Sequence, residues 1–294
     1  MFVMRNLLLF AAVSLFVFSA CDDDDDVLVQ DRLSLNISGL EDLGDDYAYE
    51  GWLIVNGKAV SAGIFNVDGS GALSQNSFAI DSDDLANASA YVLTIEPSPD
   101  SDPGPSSVHI LAGDFSGNQA NLSVGHSSAI GSDFSTSTGS YILATPTDGA
   151  DTNENSGVWW LDPSAGPGAA LNLPNLPAGW KYEGWAVIDG VPVTTGKFTS
   201  LDSADESAAF SGSQAGPPFP GEDFLMNAPS GLTFPTDLAG ATVVISVEPE
   251  PDNSAAPFLL KPLVGMVPSD AADHTLYDMS NNAQATNPTG SVTR

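Results

Sequence analysis

Four glutamates could do chemistry, because they occur as two matched pairs. Glu50 lies in Tyr49-Glu-Gly-Trp52, and Glu183 lies in Tyr182-Glu-Gly-Trp185. Glu96 closes the run Tyr91-Val-Leu-Thr-Ile-Glu-Pro97, and Glu248 closes Val243-Val-Ile-Ser-Val-Glu-Pro249. Carboxylates converging from two strands can share a proton as an acid/base pair or bind a divalent cation. The plainer expectation is that Glu50 and Glu183 face solvent, while Glu96 and Glu248 mark strand ends before proline. A second oxygen-rich group is Asp151-x-Asn153-x-Asn155, with Asp162 at the twelfth position. Its alternate oxygens suit calcium, although Ser156 stands where the sharp turn of such a loop favours glycine. Asn66-Val-Asp68-Gly-Ser70-Gly71 begins in a similar way but has Ser77 at its twelfth position, and reads as a β-turn. Calcium is the one metal worth testing, and no other cofactor is expected. His109, His126 and His274 form no ligand motif, and no Gly-x-Ser-x-Gly elbow or phosphate-cradling glycine loop is present. These residues point away from an enzyme.

The glutamates belong to a long internal repeat. Tyr49 to Phe65 aligns without gaps on Tyr182 to Phe198, with 8 of 17 positions identical and a spacing of 133 residues (182 − 49). The pair Glu96 and Glu248 is 152 residues apart (248 − 96), so the second copy carries an insertion around Gly216-Pro-Pro-Phe-Pro-Gly221. A period this long describes tandem domains, since solenoid repeats run about 20–50 residues. The elements that must position the glutamates are strands. Trp52 to Val55, Asn56-Gly57 and Lys58 to Val60 read as strand, turn, strand, and Asp189-Gly190 makes the same turn in the second copy. Tyr91 to Ile95 is a β-branched and aromatic run that ends at a proline. Tyr49, Trp52 and Phe65, with their partners Tyr182, Trp185 and Phe198, are expected to pack as core or sheet-face residues. No long amphipathic helix is visible, so the fold class expected is all-β: two tandem β-sandwich, immunoglobulin-like domains. Leu33-Ser-Leu35 and Leu171-Asn-Leu173 would open the two copies. The domains are expected at residues 33–164 and 165–282, with a disordered tail over residues 283–294.

The N-terminus reads as an address. Arg5, the apolar run Leu7 to Phe18 and then Ser19-Ala20-Cys21 match a secretory signal ending at the chain's single cysteine. Residues 1–20 would be a lipoprotein signal peptide. Residues 21–32 would be a lipidated Cys21 and an acidic tether that begins with Asp22 to Asp26. This arrangement resembles a bacterial lipoprotein, with Phe18 where leucine is usual. The acidic run resembles the surface-export signal of some Gram-negative lipoproteins. It implies an outer-membrane anchor and surface exposure.

Composition narrows the partners. The chain has 294 residues, 38 Asp plus Glu and 7 Lys plus Arg, for a formal charge of −31. Such a chain offers no basic footprint for nucleic acid, and an anionic lipid surface repels it. Contact with the membrane is expected through the lipid anchor alone. The partner would be an envelope protein or a glycan.

The aromatic-x-x-Trp strand (Tyr49 to Trp52), Val60 to Phe65, Tyr91 to Pro97 and Leu111-Ala112-Gly113 together resemble one family: the extracytoplasmic C-terminal domain of anti-sigma-K factors, regulators of sigma K. The second copy resembles it too, with Leu260-Lys261-Pro262 taken as the counterpart of the last element. The resemblance covers most of residues 33–290. Known members place a sigma-binding domain and a spanning helix before this domain, and neither is visible ahead of residue 33. The resemblance therefore implies an envelope-side sensing or binding module that does not hold sigma factor directly. A structural or adhesive surface protein that binds glycan or calcium is the alternative.

Overall fold

A computed structural model describes residues 29–252 and 254–294. Cys21, the signal segment and the aspartates Asp22 to Asp26 lie outside the described residues.

The first unit runs through β1 (Gln30–Ser38), β2 (Tyr47–Val55), β3 (Lys58–Phe65), β4 (Ser77–Asp81), a short α1 (Ser82–Asn87), β5 (Ala88–Pro97), β6 (His109–Ser116) and β7 (Gln119–Ser123). Chain then passes to β8 (Thr138–Leu143), β9 (Gly157–Trp159), β10 (Leu161–Asp162), β11 (Gly168–Ala169) and β12 (Leu171–Asn172). The long hairpin β13 (Trp180–Ile188) and β14 (Val191–Phe198) follows, then β15 (Gly221–Asp223), β16 (Thr242–Pro249), β17 (Leu263–Met266), β18 (Tyr277–Asp278) and β19 (Ser280–Asn281). A four-residue α2 (Ala283–Thr286) leads into β20 (Thr289–Thr293). The fold is all-β, and every strand pair is antiparallel.

The central hairpins follow from local chemistry. Asn56 and Gly57 have φ of 51° and 75°, and Asp189 and Gly190 have 50° and 82°. These left-handed pairs match the two-residue turn whose twist suits flanking strands. Each hairpin carries a register shift at the same place, Gly51/Trp52 and Gly184/Trp185. Glycine is required there: a Cβ on Gly51 would lie 2.2 Å from the Tyr91 hydroxyl, and one on Gly184 would lie 2.4 Å from the Trp160 ring. Tyr49 stacks on Phe65 with ring centroids 5.6 Å apart, and Tyr182 on Phe198 at 5.7 Å. These rings sit in one hydrophobic core that continues through both units.

The C-terminal tail corrects the expectation of disorder over residues 283–294. β20 lies inside the first unit's eight-stranded sheet, ordered β3-β2-β5-β6-β7-β20-β1-β4. It pairs over five residues with β7 and over five with β1. A polar Thr-Gly-Ser segment looks disordered by composition, but the backbone hydrogen bonds of two neighbouring strands hold it. Val292 of the same strand is fully buried. The Arg294 guanidinium donates to the carbonyls of Leu85 (2.7 Å), Ala88 (2.8 Å) and Gly117 (3.1 Å), and stands 4.4 Å over the Phe115 ring.

The expected boundary at residues 164/165 is also displaced. β8 occupies in the second unit the slot that β20 fills in the first. Gly139 and Thr138 of β8 face Leu171 and Asn172 of β12, whereas Gly290 and Thr289 of β20 face Ile37 and Ser38 of β1. On the other side, Ser140 faces Asp278 of β18 and Ser291 faces Asn121 of β7. Both strands begin Thr-Gly-Ser. The strand that follows β7 in sequence thus completes the second unit, and the strand that follows β19 returns to complete the first. The two crossing segments touch: the Asn281 side chain donates to the carbonyls of Phe134 (2.8 Å) and Ser137 (2.9 Å), and Asn287 to Asp133 (2.8 Å).

The counterpart of β1 begins at β9, earlier than Leu171-Asn-Leu173. Trp160 N donates to the Pro220 carbonyl as Leu35 N donates to that of Asn76. The β10–β11 hairpin interrupts this strand before it resumes at β12. Register likewise replaces Leu260-Lys261-Pro262 as the partner of Leu111-Ala112-Gly113. Leu111, Ala112 and Gly113 face Leu93, Val92 and Tyr91, while Leu263, Val264 and Gly265 face Ile245, Val244 and Val243.

Candidate functional site

The four glutamates do not face solvent. Glu50, Glu96, Glu183 and Glu248 are 6%, 2%, 5% and 0% exposed. Strand alternation explains why they gather. Side chains two apart share a face, and register places Glu50 opposite Thr94 and Glu96 opposite Ala48. In the second unit Glu183 lies opposite Ser246 and Glu248 opposite Lys181. Each pair is therefore diagonal across two central strands, together with the tryptophan two residues after the first glutamate.

Each copy builds the same hydrogen-bond relay. Trp52 Nε1 donates to Thr94 Oγ1 (2.9 Å), and the Thr94 hydroxyl donates to Glu96. The backbone N–H of Ser106 donates to both oxygens of Glu96, at 2.9 and 3.1 Å, and the Ser61 hydroxyl donates to Glu50. In the second unit Trp185 Nε1 donates to Ser246 Oγ (2.8 Å), and Ser246 donates to Glu248. Phe258 N donates to both Glu248 oxygens, at 2.9 and 3.2 Å, and Thr194 donates to Glu183. A buried carboxyl group needs such donors, because a desolvated and unpaired one is costly. The sequence carried a signal for the donors, since Ser61/Thr194 and Thr94/Ser246 are themselves repeat partners.

The surroundings differ. The second unit adds Lys181 and Lys197, where the first has Ala48 and Ile64. Lys197 Nζ lies 3.0 Å from Glu250, and Lys181 Nζ lies 2.8 Å from Glu206. Burial raises Glu183 to about 7 and Glu248 to about 8, against the hydrogen bonds from Thr194 and Ser246. Burial also raises Glu50, with the neighbouring charge of Glu96 a smaller cause. Glu183 keeps one buried oxygen, Oε2, without a hydrogen-bond partner. Among the described residues, carboxylate oxygens of Glu183, Glu248 and Asp252 lie within 4.8 Å of one another.

The insertion in the second copy brings further buried acids that sequence reading missed. Glu222 and Asp223 on β15 are fully buried. Asp223 accepts from Thr147 N (2.8 Å), the Thr147 hydroxyl and Trp159 Nε1 (2.8 Å). Burial raises Asp205 to about 7, although Gly221 N donates to it at 2.9 Å. A lone acidic dipeptide after a proline-rich loop carries no periodic mark of burial.

The proposed calcium loop is only partly assembled. Asp151, Asn153 and Asn155 line one open surface cleft with Glu154, Asp237 and Asp273. Asp162 is absent from that lining; it stands in β10 and accepts from Ser164 N at 2.8 Å. Asp68 closes a turn, accepting from Ser70 N (2.8 Å) and Ala72 N (3.0 Å). The histidines are dispersed. His109 Nδ1 meets the Ser128 carbonyl (2.9 Å), His126 Nε2 lies 3.5 Å from Asp114, and His274 pairs with Asp273.

The family described as anti-sigma-K factor rskA, C-terminal, matches residues 26–108. That stretch is an anti-sigma-K-factor-like domain. It covers β1 through β5 and both glutamates of the first relay, ending just beyond Ser106, the backbone donor to Glu96. No curated protein and no solved structure matches the chain. The second unit reproduces the relay bond for bond, with Thr194, Ser246 and Phe258 in place of Ser61, Thr94 and Ser106. Among the described residues, no helix is long and apolar enough to cross a membrane.

Proposed function

We propose that this chain is an envelope-anchored lipoprotein whose two units act as a non-catalytic sensing or binding module. The observation that carries the reading is the family match over residues 26–108. The Phe18-Ser-Ala-Cys21 segment supports lipid anchoring at the outer membrane, with surface exposure favoured by the acidic tether. Export would put both units on the far side of the membrane from any sigma factor, so direct sigma binding is not part of this function. The partner would be an envelope protein or a glycan. The non-catalytic assignment is supported by the first relay: both Glu96 oxygens accept hydrogen bonds and the side chain is closed off from solvent.

A second reading, a structural or adhesive surface protein that binds glycan or calcium, is favoured by the acidic cleft around Asp151, Asn153 and Asn155. Radiolabelled palmitate tests the anchor. Label is expected to enter the wild-type protein and not Cys21→Ser, and Cys21→Ser is expected to leave the membrane fraction. A variant that stays membrane-bound overturns the lipoprotein assignment.

A further inference from the structure

We propose that Glu183, Glu248 and Asp252 form a divalent-cation site in the second unit, suited to calcium. Their oxygens lie within 4.8 Å of one another. Two ligands on one calcium ion, each at about 2.4 Å, can be no farther apart than about that distance. The donor set is all oxygen, which fits a hard cation.

Proximity of acids alone would not make a site. The independent observation is Glu183 Oε2. The residue is 5% exposed, yet among the described residues this oxygen has no hydrogen-bond donor, while its sister oxygen takes the Thr194 hydroxyl. A buried carboxylate oxygen left without a partner is costly, and a bound cation would satisfy it. The fixed donors are arranged to hold ligands in place. Thr194 orients Glu183, and Ser246 with Phe258 N orients Glu248, in the manner of outer groups around metal ligands.

Local charge agrees. Lys181 and Lys197 are directed to Glu206 and Glu250, with N–O distances of 2.8 and 3.0 Å. Their ammonium groups are thereby balanced by those two acids. Lys197 also acts on Glu183 and Asp252, and Lys261 on Glu248, but only from beyond ion-pair distance, so among the described residues none of the three carboxylates is ion-paired. The half-buried Asp252 sits on the loop after β16, at the edge where an ion could enter. The site does not depend on the envelope role, so failure of one leaves the other standing.

The full chain, stripped with chelator and titrated with calcium by isothermal calorimetry, tests the assignment. One saturable event is expected, with a rise in melting temperature. Asp252→Asn is expected to weaken it at least tenfold while leaving the circular dichroism spectrum unchanged, and Glu183→Gln should do the same. Asp237→Asn, in the separate acidic cleft, should leave it intact. Absence of saturable heat overturns the proposal. So does binding that survives Asp252→Asn or disappears in Asp237→Asn. Magnesium, which demands a tighter octahedron, is expected to bind more weakly; equal affinity would overturn the preference for calcium.

Discussion

The two units share one strand frame and one relay, yet they solve different problems around it. In the first unit the glutamates sit beside Ala48 and Ile64, and the loop after β5 carries an exposed Asp100 where the second unit has Asp252. In the second, Lys181, Lys197, Glu206 and Glu250 crowd the same spot, and Asp252 closes to within ligand distance. The difference teaches that the relay is structural in origin. Tryptophan, hydroxyl, carboxyl and backbone N–H lock two central strands in both units. The units also differ in closure: each depends on a strand supplied by the other's stretch of chain.

That dependence can be broken most severely by deleting residues 283–294. The deletion removes a central strand from the first unit, which is expected to lose its hydrogen-exchange protection and cooperative melting. The second unit, completed by β8, should retain protection. A synthetic peptide of residues 283–294 added in trans is expected to restore the first unit.

The matching glycines Gly290 and Gly139 sit in differently packed slots. A Cβ on Gly290 would lie 2.6 Å from the backbone carbonyl of Asn36, whereas one on Gly139 would meet only side-chain tips of Leu171 and Leu263, at 2.7 Å. Overpacking costs about 1–3 kcal/mol. Gly290→Ala is therefore expected at the upper end and Gly139→Ala at the lower, measured by urea denaturation.

A pH test isolates the second relay. In chelator, Glu248 binds a proton more tightly in the folded protein than when unfolded, because burial raises it to about 8 from an ordinary 4.5. Its contribution is complete below about pH 4.5 and is lost as pH climbs towards 8, with a slope of at most about 1.4 kcal/mol per pH unit. Glu183 adds a similar loss up to about 7. Glu248→Gln should flatten this decline and be relatively more stable at pH 8 than at pH 5.

The smallest effects probe symmetry and the C-terminal clamp. Arg294→Ala is expected to cost about 1–2 kcal/mol, since it removes charge-assisted bonds to four carbonyls. Trp52→Phe and Trp185→Phe should each cost about 1 kcal/mol through loss of the indole hydrogen bond. Unequal costs would show that the relays are not energetically equivalent.

Much of the frame was legible because it is local. Asn56-Gly57 and Asp189-Gly190 fix their hairpins through backbone preference, and the spacing of Tyr49, Trp52 and Phe65 against Tyr182, Trp185 and Phe198 fixes the repeat. The candidate site was legible only as a list of acids. Glu50 and Glu183 read as solvent-facing because alternation marks one face of a strand as polar, whereas chain from elsewhere covers that face. In the first unit, for example, Trp52, Val92 and Ala112 pack under Ala129.

Short-range preference and repetition set the secondary structure class, the duplicated hairpins and the paired glutamates, tryptophans and hydroxyl residues. Only the tertiary structure decided which unit each Thr-Gly-Ser strand completes. The two strands open with the same three residues and offer the same backbone donors, so those residues do not tell the slots apart. Chain connectivity and the crossing contacts at Asn281 and Asn287 choose between them. The burial of the glutamates was decided at the same level, because covering a sheet face is a property of the whole chain and not of the strand that bears it.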